Sequence, residues 1–285
     1  MVGKGLSCNS GLLGNVPVEQ AIDLLAQEGY QAIDISLELA PPFLPAPPPH
    51  MSPHDAAPTR RRVRTCAEKA GIAIAALNAH TNLIAGTSEE RQANLKFVQG
   101  AIQLAADLEA PCVVFGGGRK TLFGFESQYW DGLVTALQEL LKEAERLGIM
   151  IAVEAGSNYG SLVHNTQRMQ RLLSYGELES LQVTFDPGHY YVRGDSPLEA
   201  FRALSEHVAH FHAKDAKGDQ EDWQFPPLGQ GDIDFTSLFT AVAESSYRGY
   251  ISVEYEAAAW GYPDEPRQVL SESKRFLDRF LSSSS

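Results

Sequence analysis

At 285 residues and 44% hydrophobic composition, the chain suits one large α/β barrel or two ordinary domains, and intrinsic disorder is excluded. A formal net charge of −13 argues against a nucleic-acid or anionic-membrane partner, since phosphate binding runs on clustered Lys and Arg. The opening MVGKGLSCNS lacks the apolar core of a signal peptide, no run approaches a membrane span, and Cys8, Cys66 and Cys112 form no CxxC pair, so a cytoplasmic, reducing setting with free thiols is expected.

Eight strand candidates follow in chain order: GLSCN, QAIDIS, IAIAALNAH, CVVFGGG, IMIAVEA, LQVTFD, VAHFHAK and YISVEYE. Amphipathic stretches lie between them, among them PVEQAIDLLAQEGY, EERQANLKFVQGAIQLAADL and YWDGLVTALQELLKEAERLG. Gly29 and Gly148 stand just past predicted helices, while Ser196-Pro197 and Asp234-Phe235 have the look of helix starts. Near-continuous apolar strands alternating with helices predict a parallel sheet covered on both faces. Eight such units predict a closed (β/α)8 TIM barrel, one domain over 1–281 with a frayed tail at 282–285. The one biased segment, PPFLPAPPPHMSPHDAAP at 41–58, reads as a surface loop or as a lid over the barrel mouth; His50 and His54 within it read as surface residues.

Four strands deliver ligand-type side chains at their C-terminal ends: Glu154, Asp186, His212 and Glu254, at intervals of 32, 26 and 42 residues. In a parallel barrel these ends converge on one mouth, and three carboxylates there repel unless a cation sits among them. Side chains two apart in a strand share a face, so His210 competes with His212 as the ligand, and Glu256 with Glu254. Glu254 is preferred because Glu256 lies beyond the strand. Oxygen-rich ligation with one imidazole suits one hard or borderline divalent ion, Mn²⁺ foremost, with Mg²⁺, Co²⁺ or Zn²⁺ as alternatives.

At these residues, and over nearly the whole chain through GQGDIDF and GYISVEYE, the sequence resembles the sugar phosphate isomerase/epimerase superfamily of xylose-isomerase-like barrels. The ketose 3-epimerases and the inosose isomerase/dehydratase group are nearest in pattern. The resemblance implies that Glu154, Asp186, His212 and Glu254 hold the metal, that His189 contacts substrate oxygen, and that Glu154 and Glu254 double as the acid/base pair. It also implies a carbohydrate substrate and a homodimer or homotetramer. Two departures stand out: Gly160 replaces a Glu expected six residues after the first ligand, and Gly218 replaces an Arg expected six residues after the ligand His. Endonuclease-four-type barrels share the fold but need more histidines than this chain offers after strands four and seven.

The chemistry expected of such a site is proton transfer at a carbon flanked by a chelated carbonyl and hydroxyl, through an enediolate. Return of the proton gives epimerisation or isomerisation, and loss of a β-hydroxyl gives dehydration; a catalytically silent sugar-binding barrel is the reading from another class. Further candidates at the mouth each carry a plainer alternative. Arg119 and Lys120 follow a glycine run able to cradle an anion, or form a solvated loop. Lys214 reaches a substrate oxygen or pairs with Asp215, and Asn158 replaces a lost contact or holds its loop. His80 binds substrate or satisfies the core. Trp223 and Trp260 stack on a sugar face or pack under their loops.

Overall fold

The computed structural model describes residues 4–14, 16–38, 48–121, 124–158, 160–256, 260–262 and 265–281. The Ser282–Ser285 tail and residues 41–47 of the proline-rich segment lie outside the described residues.

Eight parallel strands form one sheet: β1 (Leu6–Cys8), β2 (Ala32–Ser36), β3 (Ala73–Asn78), β4 (Cys112–Gly116), β5 (Met150–Glu154), β6 (Gln182–Phe185), β7 (Val208–Ala213) and β10 (Ile251–Val253). Their order is β1-β10-β7-β6-β5-β4-β3-β2, and a parallel bridge between Asn9 and Asp34 joins the two ends. The sheet is thus closed on itself, and the chain is a TIM barrel, as its strand–helix alternation implies. A two-stranded ribbon that the sequence pattern did not show, β8 (Lys217–Gly218) with β9 (Trp223–Gln224), rises from the mouth after β7. It accounts for Gly218, which sits at φ +94°, where an added Cβ would collide with the Asp222 carbonyl oxygen. The backbone excludes at this position the long side chain that the resemblance leads one to expect.

Alternation along the strands sorts two populations. Ile33, Ile35, Val113, Phe115, Phe185 and Phe211 face the helices and join the main core. Ala76, Cys112, Val114 and Ala152 form a small separate cluster inside the barrel. The remaining inner positions are polar yet buried: Ser7, Asp34, Asn78, Thr184, His210 and Ser252. This interior is less apolar than the branched aliphatic layers usual in such barrels.

The helical shell follows ordinary rules. The helix Ser88–Leu108 begins with a reciprocal capping box, Glu90 N donating to Thr87 Oγ1 and Thr87 N to Glu90 Oε2, both at 3.2 Å. Ser196 and Asp234 cap Pro197–Leu204 and Phe235–Glu244, as their sequence context suggests, and Gly148 ends Glu126–Leu147. Leu133, Leu137, Leu140 and Ala144 bury one face of that helix at three- and four-residue spacing. Aromatic rings surround Phe211, fully buried with ring centroids 5.5 Å from Phe185, 5.8 Å from Phe239 and 6.2 Å from Phe201. Phe211→Ala should therefore cost about 3–5 kcal/mol in urea denaturation. A loss below about 1 kcal/mol would mean that these rings do not pack as described.

Candidate metal centre

Every cluster residue stands where a strand ends. Glu154 is the last residue of β5, Asp186 follows β6, His212 lies one residue before the end of β7, and Glu254 follows β10. Ligand atoms from Glu154, Asp186, His189 and Glu254 all lie within 4.8 Å of one another. His212 Nδ1 stands against two of them, 2.6 Å from Glu154 Oε1 and 3.0 Å from Glu254 Oε2. The geometry therefore brings together all four residues read as ligands, and adds His189, read only as a substrate contact.

Local structure explains the aim of each side chain. Asp186 caps the short helix Pro187–Tyr191: its Oδ1 accepts from Gly188 N at 2.8 Å and His189 N at 3.2 Å. Pro187 fits the first turn because it needs no donor there. The other oxygen, Asp186 Oδ2, and Glu254 Oε2 are buried without a hydrogen bond among the described residues and face the Lys214 ammonium at 3.3 and 3.1 Å. Buried carboxylate oxygens converging beside an imidazole are the donors a divalent cation would take. Glu154 Oε2 turns to His80 Nε2 at 3.3 Å, while Glu254 Oε1 accepts from Asn9 Nδ2 at 3.2 Å. Each glutamate thus has one oxygen toward His212 and one toward a different flank of the mouth.

Lys214, the next inward position on the strand line after His212, is buried with its ammonium 3.1 Å from Glu254 Oε2, 3.3 Å from Asp186 Oδ2 and 2.8 Å from Glu256 Oε1, rather than paired with Asp215, whose carboxylate accepts from Gly229 N at 2.8 Å and Gly231 N at 2.9 Å. Glu256 stands at the exposed rim, and His210 lies deeper in the barrel, 2.7 Å from Asp34. These placements separate the two pairs that spacing alone left open.

Burial disfavours charge at every member of the cluster, and neighbours decide the outcome. It pushes Asp186 well above the usual carboxylate range, with Lys214 pulling the other way and Glu154 and Glu254 adding to the rise. Burial also opposes charge on His212, but Glu254, Glu154 and Asp34 outweigh it and hold the imidazole well above its ordinary value. Burial and the Lys214 charge bring His189 down to about 4, leaving a neutral ring. Glu154 and Glu254 fall below the ordinary carboxylate range, since His212 and other nearby bases overcome burial.

The sign of metal uptake follows. Without an ion His212 holds its proton above the ordinary imidazole range and Asp186 above the ordinary carboxylate range, so ligation draws protons from these two more than from Glu154 and Glu254. Mn²⁺ binding should release protons and tighten as pH rises from 6 to 8, measurable by calorimetry in buffers of different ionisation enthalpy. Affinity independent of pH would contradict this assignment of charge.

The remaining candidates occupy the rim. His80 sits between Glu154 and Glu38, its Nε2 3.7 Å from Glu38 Oε1. Arg119 is exposed, its backbone clamped by Asn82 through Arg119 N to Oδ1 at 2.9 Å and Nδ2 to Arg119 O at 2.8 Å. The glycine run before it is explained by packing: a Cβ on Gly117 would lie 2.5 Å from Val163 Cβ, and one on Gly118 2.8 Å from Ile84 Cγ1. Gly160 lies under Arg119, where an added Cβ would meet its Cγ at 3.1 Å. Asn158 is exposed, its carbonyl accepting from Ser161 N. Trp223 and Trp260 pack with Phe225, which touches the ring of His189 and underlies the Lys214 ammonium. His50, read as a surface residue, is half-buried, and its backbone donates to Ser36 O at 2.9 Å, drawing the middle of the proline-rich segment onto β2.

Asp34, Glu38 and Asn9 are site neighbours that sequence reasoning did not single out. The one available signal was an acidic residue between two isoleucines of a buried strand, costly unless paired.

A sequence profile of xylose isomerase-like TIM barrels matches residues 22–280. An inosose dehydratase of Lacticaseibacillus casei is 28% identical over 173 residues, 55% of this chain and 57% of that protein. One from Bacillus cereus is 28% identical over 147 residues, 46% of this chain and 49% of that protein. The chain thus matches about half the length of these curated relatives. Among solved structures, a D-tagatose 3-epimerase-like protein superposes with a TM-score of 0.80 at 20% identity, covering 98% of this chain and 97% of its own. The IolI protein with a bound zinc atom superposes with 0.78 at 18% identity, covering 98% of both chains. At these identities the superpositions speak to fold alone. The profile, which spans most of the barrel, decides the membership: the chain belongs to the xylose isomerase-like TIM barrel family.

Proposed function

We propose that this protein is a divalent-metal-dependent enzyme that moves a proton on a keto-sugar or polyol, an isomerase or epimerase. One observation carries the reading: three buried carboxylates converge at the barrel mouth beside His212 and His189. Glu154, Asp186, His212 and Glu254 would hold the ion, with His189 within reach as a further donor or a substrate contact. A bound divalent cation would polarise a substrate carbonyl and acidify the neighbouring C–H. Glu154 and Glu254, each with one oxygen directed away from His212, would take up and return the proton. Phe225, Trp223 and Trp260 supply an apolar wall for a sugar face beside His189 and Lys214. A preference for Mn²⁺, a cytoplasmic setting and assembly as a dimer or tetramer belong to the same reading.

The second reading is dehydration of an inosose-like keto-polyol. It is favoured by the inosose dehydratases among the relatives and by Lys214, whose buried ammonium stands ready beside Glu254 to assist a leaving hydroxyl. Incubating the Mn²⁺-loaded protein with keto-sugars and inososes in D₂O separates the two. Carbon-bound deuterium without mass loss supports proton transfer alone, and loss of water supports dehydration. Neither change with any substrate that binds would leave a silent sugar-binding barrel.

A further inference from the structure

Beneath the mouth lies a second buried group, Asp34 with His210 and His212. Asp34 occupies the middle of β2, where the register against β3 slips between Ile33 and Asp34, a local irregularity that re-aims a side chain. Its two oxygens are separately engaged. Oδ1 accepts from Ser7 Oγ at 2.6 Å, and Oδ2 stands 2.7 Å from His210 Nε2 and 3.6 Å from His212 Nε2. The His210 and His212 rings are nearly perpendicular, at 89°, with centroids 4.9 Å apart. The 2.7 Å separation is that of a hydrogen bond between His210 and Asp34, and Ser7 occupies the other Asp34 oxygen. The group is held together by hydrogen bonds as a buried support beneath the mouth.

His212 is the residue the two clusters share. Its Nδ1 faces Glu154 and Glu254, while its Nε2 is buried without a hydrogen bond, on the side of Asp34. A carboxylate behind an imidazole fixes which nitrogen a metal meets and how the ring is turned. We propose that Asp34, anchored by Ser7 and His210, is a positioning residue whose carboxylate, 3.6 Å from Nε2, favours a proton on that edge of His212 and so leaves Nδ1 to face the carboxylates at the mouth. This rests on the metal-centre reading above and extends it to a residue 3 strands away in the sheet order from β7 through β1 to β2.

The test uses the full chain, Mn²⁺ for affinity and Zn²⁺ for spectroscopy on protein labelled with ¹⁵N-histidine. In the Zn²⁺-loaded wild type, two-bond ¹H–¹⁵N correlations should show His212 protonated at Nε2 and metal-bound at Nδ1. Asp34→Asn should weaken Mn²⁺ binding about 10- to 100-fold and change the His212 pattern. Ser7→Ala, which removes only the hydrogen bond to Oδ1, should move both readouts in the same direction by less, and carries the test if Asp34→Asn does not fold. Wild-type affinity and an unchanged His212 pattern in the folded variants would overturn the role of Asp34 while leaving the metal centre standing. No ion on the wild type would remove the centre itself, and this role with it.

Discussion

Glu254→Gln is expected to lower deuterium exchange into a bound keto-sugar by about a hundred- to ten-thousand-fold, the range for loss of a positioned general acid/base. The substitution keeps the size of the side chain and the Oε1 acceptor that Asn9 Nδ2 reaches at 3.2 Å. It removes the negative charge beside His212 Nδ1 and Lys214 Nζ, at 3.0 and 3.1 Å. Exchange should be measured by NMR at saturating Mn²⁺, so that weakened ligation is offset by mass action. Exchange within threefold of wild type would show that Glu254 transfers no proton. Glu154→Gln, measured alongside, separates the two carboxylates: epimerisation needs both, whereas a single base shuttling its proton leaves one variant nearly active.

Lys214→Met should have opposite effects on stability and on metal binding. The ammonium is buried among Asp186, Glu254 and Glu256, and removing one partner of a buried charge cluster costs about 3–5 kcal/mol because the rest are left unpaired. That loss is expected in urea denaturation with EDTA present. The same ammonium competes with any cation for the oxygens of Asp186 and Glu254, so its removal should tighten Mn²⁺ binding by about tenfold or more. Added Mn²⁺ should then restore much of the lost stability. Lower stability with weaker Mn²⁺ binding would mean that Lys214 organises the ligands rather than competing with the ion.

The sequence made the barrel legible because each strand is an apolar, β-branched run and the intervals between strand ends match strand–helix–strand units. Glu154, Asp186, His212 and Glu254 were visible for a related reason: a charged residue closing a buried run has few places to go except a shared mouth. Asp34 carries the same kind of signal inside IDIS, but its partner His210 lies 176 residues away, and no local pattern announces that pairing. Spacing could not order His210 against His212, or Glu254 against Glu256, since residues two apart share a face and only depth in the barrel separates them. The glycine run at 116–118 suggested an anion cradle, while its close approach to Val163 and Ile84 comes from loops distant in sequence. The β8–β9 ribbon is two residues per strand, too short for any periodicity to mark.

The central claim is that the carboxylates at the mouth, with His212, hold one divalent ion. Native mass spectrometry of the chelated and Mn²⁺-reloaded protein tests it most directly, on wild type and Glu154→Gln together. One ion per chain is expected in the wild type, with weakened retention in the variant. No ion on the wild type, or equal retention by both proteins, would contradict it.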